Sequence, residues 1–200
     1  MRLDHRTIYG LIDPGSRVLD LGCGDGELLL CLSEGKGVRG QGVEISEQAV
    51  YKCVEKGVSV FHSDIAGGLA GFPDGSFDVA ILNQSLQEVQ NIGFVLDEAL
   101  RVCRRAVVGL PNFAHFRARW SLFFRGRAPV TPSLPYDWSD SPNVRFMSMA
   151  DFKNFCRHRG FRILQANYLG VHGPVSFWPN LLASNGIFLI EKKRDWNGNG

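Results

Sequence analysis

Three glycines at alternate positions, Gly22, Gly24 and Gly26, lie within the run SRVLDLGCGDGELLL at 16–30, with Cys23 between the first two and the acids Asp20 and Asp25 beside them. A backbone without Cβ atoms at such points turns tightly and lets a ligand lie against it. A helix starting at Glu27 offers unpaired N–H groups and the positive end of its dipole to whatever lies over the turn. The pyrophosphate-cradling pattern G-x-G-x-x-G is not met, because position 27, where its third glycine belongs, is Glu. Acids beside the loop suit a ligand that carries positive charge better than a phosphate. Glu44, followed by Ile45, is 18 residues past Gly26. A carboxylate at the end of a second strand can accept hydrogen bonds from both hydroxyls of a ribose. Asp64 follows a third apolar stretch and can accept from an exocyclic amine, with Ile65 packing on the ring. Asn83 and Gln84 follow a fourth. Taken singly, Glu44 reads as a solvated strand end and Asp64 as a common post-strand acid; their joint placement carries the reading.

Alternating elements must position these residues. Asp4 to Ile12 has the apolar spacing of a short helix, stopped by Asp13-Pro14-Gly15. Strands are expected over 17–21, 38–45, 58–62, 77–82 and 104–110, with helices from Glu27, over 47–56 and over 91–102. FDVAIL at 77–82 is nearly all apolar, as a central parallel strand is. The alternation implies an α/β, doubly wound, mostly parallel sheet, with ligands at the carboxyl ends of its strands. A helix over 149–159 and two strands, 161–169 and 186–192, close the chain as an antiparallel pair, giving seven strands with the last antiparallel. Residues 1–193 read as a single domain, and 194–200 as a flexible tail.

Composition excludes several classes. Two hundred residues of ordinary globular composition suffice for one core, and a formal charge of +2 gives no reason to expect nucleic acid. No apolar run approaches the ~20 residues of a membrane span, and the first ten residues lack the apolar core of a signal peptide. Five cysteines without a C-x-x-C pair read as reduced thiols of a cytoplasmic protein, and the scattered histidines form no metal-ligand set.

DLGCGDG, with Asp20 ahead of Gly22, resembles the first motif of the class I S-adenosylmethionine (SAM) methyltransferases. SAM has no pyrophosphate; it brings an ammonium, a sulfonium and a carboxylate, which fits the acids around the loop. VLDLGCGDGELL, GVEIS, DGSFDVAILNQSLQEV, the insert PNFAHFRARWSLFFRGRAPVTPSLPY and the later WPNLLA together resemble the MetW family of methionine biosynthesis over about 3–193. The resemblance implies a class I methyltransferase (Rossmann-like) fold, SAM or S-adenosylhomocysteine as cofactor, and a homoserine O-acyltransferase as partner and activation target. This chain departs from the family pattern in the insert, where Ser139, Ser141 and Arg145 replace Tyr, Thr and His. After strand 4, Asn83-Gln84-Ser85-Leu86 lacks the Pro-Pro pair associated with amino-group methylation.

The aromatic and basic insert at 112–145 reads as a lid over the crevice, with Phe113, Phe116, Trp120, Phe123 and Phe124 at helical spacing and four arginines interleaved. Such a face is core, partner surface or pocket lining; exposed aromatics with arginines have the composition of interface anchors. Two functions are weighed. One is a MetW-like regulatory subunit that binds SAM and docks on the acyltransferase. The other is a SAM-dependent methyltransferase acting on a small molecule, in which His115 or Tyr136 would be the base if the lid folds over the crevice.

Overall fold

The computed structural model describes residues 1–131 and 133–193. The tail expected at 194–200 lies outside the described residues. Helices and strands alternate as α1 (Leu3–Leu11), β1 (Arg17–Leu21), α2 (Glu27–Lys36), β2 (Arg39–Glu44), α3 (Glu47–Glu55), β3 (Val60–His62), β4 (Phe77–Asn83), α4 (Ile92–Val102) and β5 (Cys103–Pro111). After β5 come α5 (Phe116–Trp120), continued by one π turn, then α6 (Met149–Arg159), β6 (Phe161–Leu169), the short α7 (Pro179–Leu182) and β7 (Asn185–Lys192).

The seven strands lie in the order β3-β2-β1-β4-β5-β7-β6. The first five are mutually parallel, and β7 runs antiparallel to both β5 and β6. Strand order reverses between β1 and β4, which opens a crevice at their carboxyl ends. A β-bulge between Ile163 and Gln165 shifts the register of the edge strand β6.

Side-chain alternation along the central strands builds two cores. Ala80, Leu82, Ala106, Val108, Phe188 and Ile190 face α4 and α6, where they meet Leu96, Phe152 and Cys156. Val79, Ile81, Val107, Ile187 and Leu189 face the other way, onto Ile8 and Ile12 of the α1 region and Leu28, Leu29 and Leu32 of α2. Helix starts follow local chemistry: Ser46 Oγ accepts from Ala49 N, Asn91 Oδ1 from Phe94 N, and Ser148 with Asp151 forms a reciprocal capping box. No helix among the described residues is long and apolar enough to cross a membrane.

Candidate functional site

The glycine turn leaves the sheet at Leu21 but stays pinned to β2, because Gly22 N and Cys23 N both donate to the Val43 carbonyl, at 2.8 and 3.3 Å. Gly22, Gly24 and Gly26 have φ of +80°, +56° and +75°, the left-handed region in which a side chain is strained. At Gly22 space forbids one as well: a Cβ there would stand 2.9 Å from Ser85 Cβ. At Gly24 a Cβ would point into open space.

Glu44 is buried at the end of β2 and clamps this loop. Its Oε2 accepts from Gly24 N at 2.8 Å, and its Oε1 accepts from Ile45 N and Ser46 N at 3.0 and 2.9 Å. A carboxylate has about four acceptor positions, so capacity remains for a ligand hydroxyl. Asp20, one strand over, is also buried, but among the described residues no hydrogen bond offsets its burial. Desolvation, then the charge of Glu44, pushes its carboxyl up to about 7. Asp25 differs: it is exposed, and its Oδ2 pairs with Lys56 Nζ at 2.6 Å, which holds it below the usual carboxylate range.

Two cavities open on this edge and share Gly22 and Gln84. The smaller, about 200 Å³, is bounded by Asp20, the glycine turn and Asn83, and by Arg2 and His5 of the N-terminal segment. The larger, about 740 Å³, runs from Glu44 and Ile45 past Ser63, Asp64 and Ile65 to the loop 88–91. Of the expected residues, Asp20, Gly22, Cys23, Gly24, Asp25, Asn83 and Gln84 therefore stand at the smaller cavity. Glu44, Ile45, Asp64 and Ile65 stand at the larger. Gly26 is just behind the turn, where an added Cβ would meet Cys53 Sγ at 3.0 Å and Val58 Cβ at 3.3 Å. Asp64 is exposed, and its Oδ1 accepts from Ala66 N at 2.8 Å, opening a short 3-10 turn. Gln84 takes a left-handed φ of +61°, the kind of backbone strain that concentrates at functional sites. Asn83 Oδ1 and Ser85 Oγ are buried, on residues that line the two cavities, without a partner among the described residues.

The N-terminal helix is the part the sequence did not point to. Asp4 Oδ2 accepts from Asn83 Nδ2 at 3.0 Å and pairs with Arg2 at 2.8 Å. Burial alone would raise the Asp4 carboxyl, but the Asn83 amide, Arg2 and His5 outweigh it and hold it below its ordinary value. His5 is lowered chiefly by desolvation. The signal that could have found this wall is the pair of buried polar residues, Asp4 and His5, on a helix whose other face is apolar.

His115 and Tyr136 are not brought to the cleft: neither is among the residues lining these two cavities. His115 is buried as the N-cap of α5, its Nδ1 accepting from Arg117 N at 3.4 Å, and Tyr136 is exposed. The cavity walls come from residues 2–91, and the insert reaches them only at its far end. There Val144 N and Arg145 N both donate to the Gln87 carbonyl at 2.9 Å.

Fold and glycine edge define the class: this is the Rossmann-like fold of the SAM-dependent methyltransferases. It is shared with a SAM-dependent methyltransferase of Archaeoglobus fulgidus at a TM-score of 0.71 and 18% identity, over 94% of this chain and 91% of that one. The chain belongs to the family described as methionine biosynthesis protein MetW, whose model matches residues 2–190. A bifunctional methionine biosynthesis protein MetXA/MetW of Rhodopirellula baltica is 36% identical over 163 residues, covering 77% of this chain and 26% of that protein. The chain thus spans about a quarter of that relative's length. A demethylmenaquinone methyltransferase of Staphylococcus aureus is 27% identical over 167 residues, covering 75% of this chain and 69% of that one.

Proposed function

We propose that this chain binds SAM, or S-adenosylhomocysteine, in the paired cavities and acts in the cytoplasm with a homoserine O-acyltransferase as its partner and activator. The observation that carries the ligand reading is the two-part cleft, with an acid on either side of a glycine turn. The residues fit the ligand. Asp20, buried without a hydrogen bond, suits the ammonium, and Glu44 keeps acceptor capacity for ribose hydroxyls. Asp64 and Ile65 line the larger cavity, where they would offer an adenine a carboxylate and an apolar side chain. The orphaned Ser85 hydroxyl adds an unpaired polar group to that wall. When bound, SAM supplies an electrophilic methyl group on a sulfonium; the chain's own residues bind and orient it and shield it from water. Support for the partner is the relative that carries MetXA and MetW in one name.

Calorimetric titration of SAM tests the site. Gly24→Val places a strained side chain in the open space of the turn, and Glu44→Ala removes the clamp. Loss of one charge-assisted hydrogen bond predicts about 10- to 150-fold weaker binding for Glu44→Ala. Wild-type binding no tighter than that of the variants sinks the reading.

Methyl transfer to a small acceptor is the second reading, supported by the likeness to the demethylmenaquinone methyltransferase. Transfer of labelled methyl from SAM to any member of a quinol, thiol and carboxylate panel would favour it.

A further inference from the structure

Among the described residues, most of the exposed large apolar side chains come from two stretches, residues 113–146 and the loop 171–182. Both are rooted at one point. The buried Asn112 donates from Nδ2 to the carbonyls of Asn180 and Ala183, at 3.1 and 2.8 Å, and Phe113 packs on Phe146 with ring centroids 4.8 Å apart. The aromatics beyond that root pack on each other rather than on the core. Trp120 and Phe124 lie 4.1 Å apart, centroid to centroid, and Phe123 and Phe124 4.8 Å. Phe123 is 82% exposed and Trp138 79%. Farther along, Phe177 and Trp178 stack at 5.0 Å, with Trp178 held at a φ of +41°. Holding a bulky side chain at positive φ costs free energy without any compensating burial.

Charge on this face is one-sided. Between Pro111 and Asp137 the chain carries Arg117, Arg119, Arg125 and Arg127 and no acid. Among the described residues none of the four is in an ion pair, which is also true of Arg6, Arg39, Arg104, Arg145 and Arg157, while Arg2, Arg17, Arg101, Arg105, Arg159 and Arg162 are paired; what sets the four apart is their clustering without an acid. Exposed aromatics ringed by unpaired arginines are the composition of an interface centre awaiting an acid-rimmed apolar pocket.

The same insert is fastened to the ligand cleft. Besides the two backbone bonds to the Gln87 carbonyl, the Arg145 guanidinium donates to the Gln90 carbonyl at 2.5 Å. Gln87 Nε2 in turn donates to the Gln84 carbonyl at 2.6 Å. Gln84 lies between the two cavities, and Glu88, Val89 and Gln90 wall the larger one. These contacts join the insert to the cleft wall.

We propose that the aromatic–arginine face centred on Trp120, Phe123 and Phe124 is where the homoserine acyltransferase docks, through an acidic surface with an apolar pocket. Docking there is linked to ligand binding through the Arg145–Gln90 and Gln87–Gln84 contacts. This rests on the function proposed above. The occupant is named because a relative carries MetXA together with MetW, and because unpaired arginines call for an acidic partner.

The test uses the full chain and the purified homoserine O-acyltransferase of the same organism. Affinity is measured for wild type, Trp120→Ser/Phe123→Ser, Arg125→Glu/Arg127→Glu, and Phe61→Ser, an exposed aromatic on the edge strand β3. The first two weaken the complex by about 30-fold or more, the loss expected for a hot spot, and Phe61→Ser stays within about twofold. SAM shifts the wild-type affinity by a factor in the ~5–150 range of ordinary couplings, and Arg145→Gln shrinks that factor without abolishing docking. If the wild types associate and all surface variants bind alike, the face is wrong while the proposed partner stands. If they do not associate at all, the partner reading fails, and this proposal with it. If the chain instead dimerises with itself and Trp120→Ser/Phe123→Ser makes it monomeric, the occupant is a second copy and the proposal is overturned.

Discussion

Two acids at one glycine turn do different things because their surroundings differ. Glu44 has three backbone N–H donors and acts as a clamp; Asp20 has burial and a neighbouring charge, and its carboxyl is pushed up to about 7. The sign of the pH effect follows. The folded chain keeps the Asp20 proton up to about pH 7, whereas the unfolded chain gives it up near 3.8. Unfolding therefore releases a proton between those values, and stability falls as pH rises through the window, by on the order of 4 kcal/mol in all. Asp20→Asn removes this dependence. Urea unfolding at pH 5 and pH 8 should show the variant gaining on wild type at the higher pH; an equal difference at both would mean that the carboxyl is not raised. A cationic ligand favours the ionised form, so binding should strengthen toward pH 8 and release a proton at pH 6. Calorimetry in buffers of different ionisation enthalpy reads that proton directly. Types and order of these acids were legible in the sequence. Their division of labour was not, since it depends on donors from Gly24 and Ile45 and, for Asp25, on Lys56 at the C-terminal cap of α3.

Elements were legible where burial is two-sided. The runs at 17–21, 77–83 and 103–111 are strands because both faces of a parallel sheet are covered, which leaves near-continuous apolar stretches. The insert was less so: its aromatics have helical spacing, yet most of them face solvent, and of the residues expected to act over the crevice His115 is buried as a helix cap and Tyr136 is exposed. Periodicity reports which residues share a face, not what that face meets. Apolar spacing marks the N-terminal segment as a helix but not as a wall of the cleft, because the bond from Asn83 to Asp4 joins residues 79 apart. At this scale the turn gives a graded prediction. Gly22→Ala meets both a positive φ and the Ser85 side chain, and should cost about 2–4 kcal/mol. Gly37→Ala at the end of α2 meets only a positive φ and open space, and should cost about 1 kcal/mol. Equal losses in denaturant melts would show that the Ser85 contact yields freely.

For the molecule as a whole, the cleft and the exposed aromatic face differ in how salt reaches them. Ligand in the cleft meets two almost fully buried acids, Asp20 and Glu44, whereas the four arginines of the insert stand at the surface. Surface charges a Debye length apart are screened, and the screening length falls from ~10 Å at 0.1 M salt to ~3 Å at 1 M; buried charges are screened far less. SAM at a hundred times its Kd should add about 2.7 kcal/mol to stability, a rise in Tm of roughly 5–11 °C for a domain of this size. That rise should survive 0.5 M salt nearly unchanged. Association with the acyltransferase should instead slow steeply over the same range, because steering by surface charge sets the on-rate. Thermal melts with SAM and stopped-flow association, each at 0.05 and 0.5 M salt, separate the two. A ligand-induced Tm rise that collapses with salt would place the ligand on the surface instead of between the buried acids. An association rate indifferent to salt would mean that the arginines do not guide the partner, and that whatever docks on the aromatic face is held there by apolar contact alone.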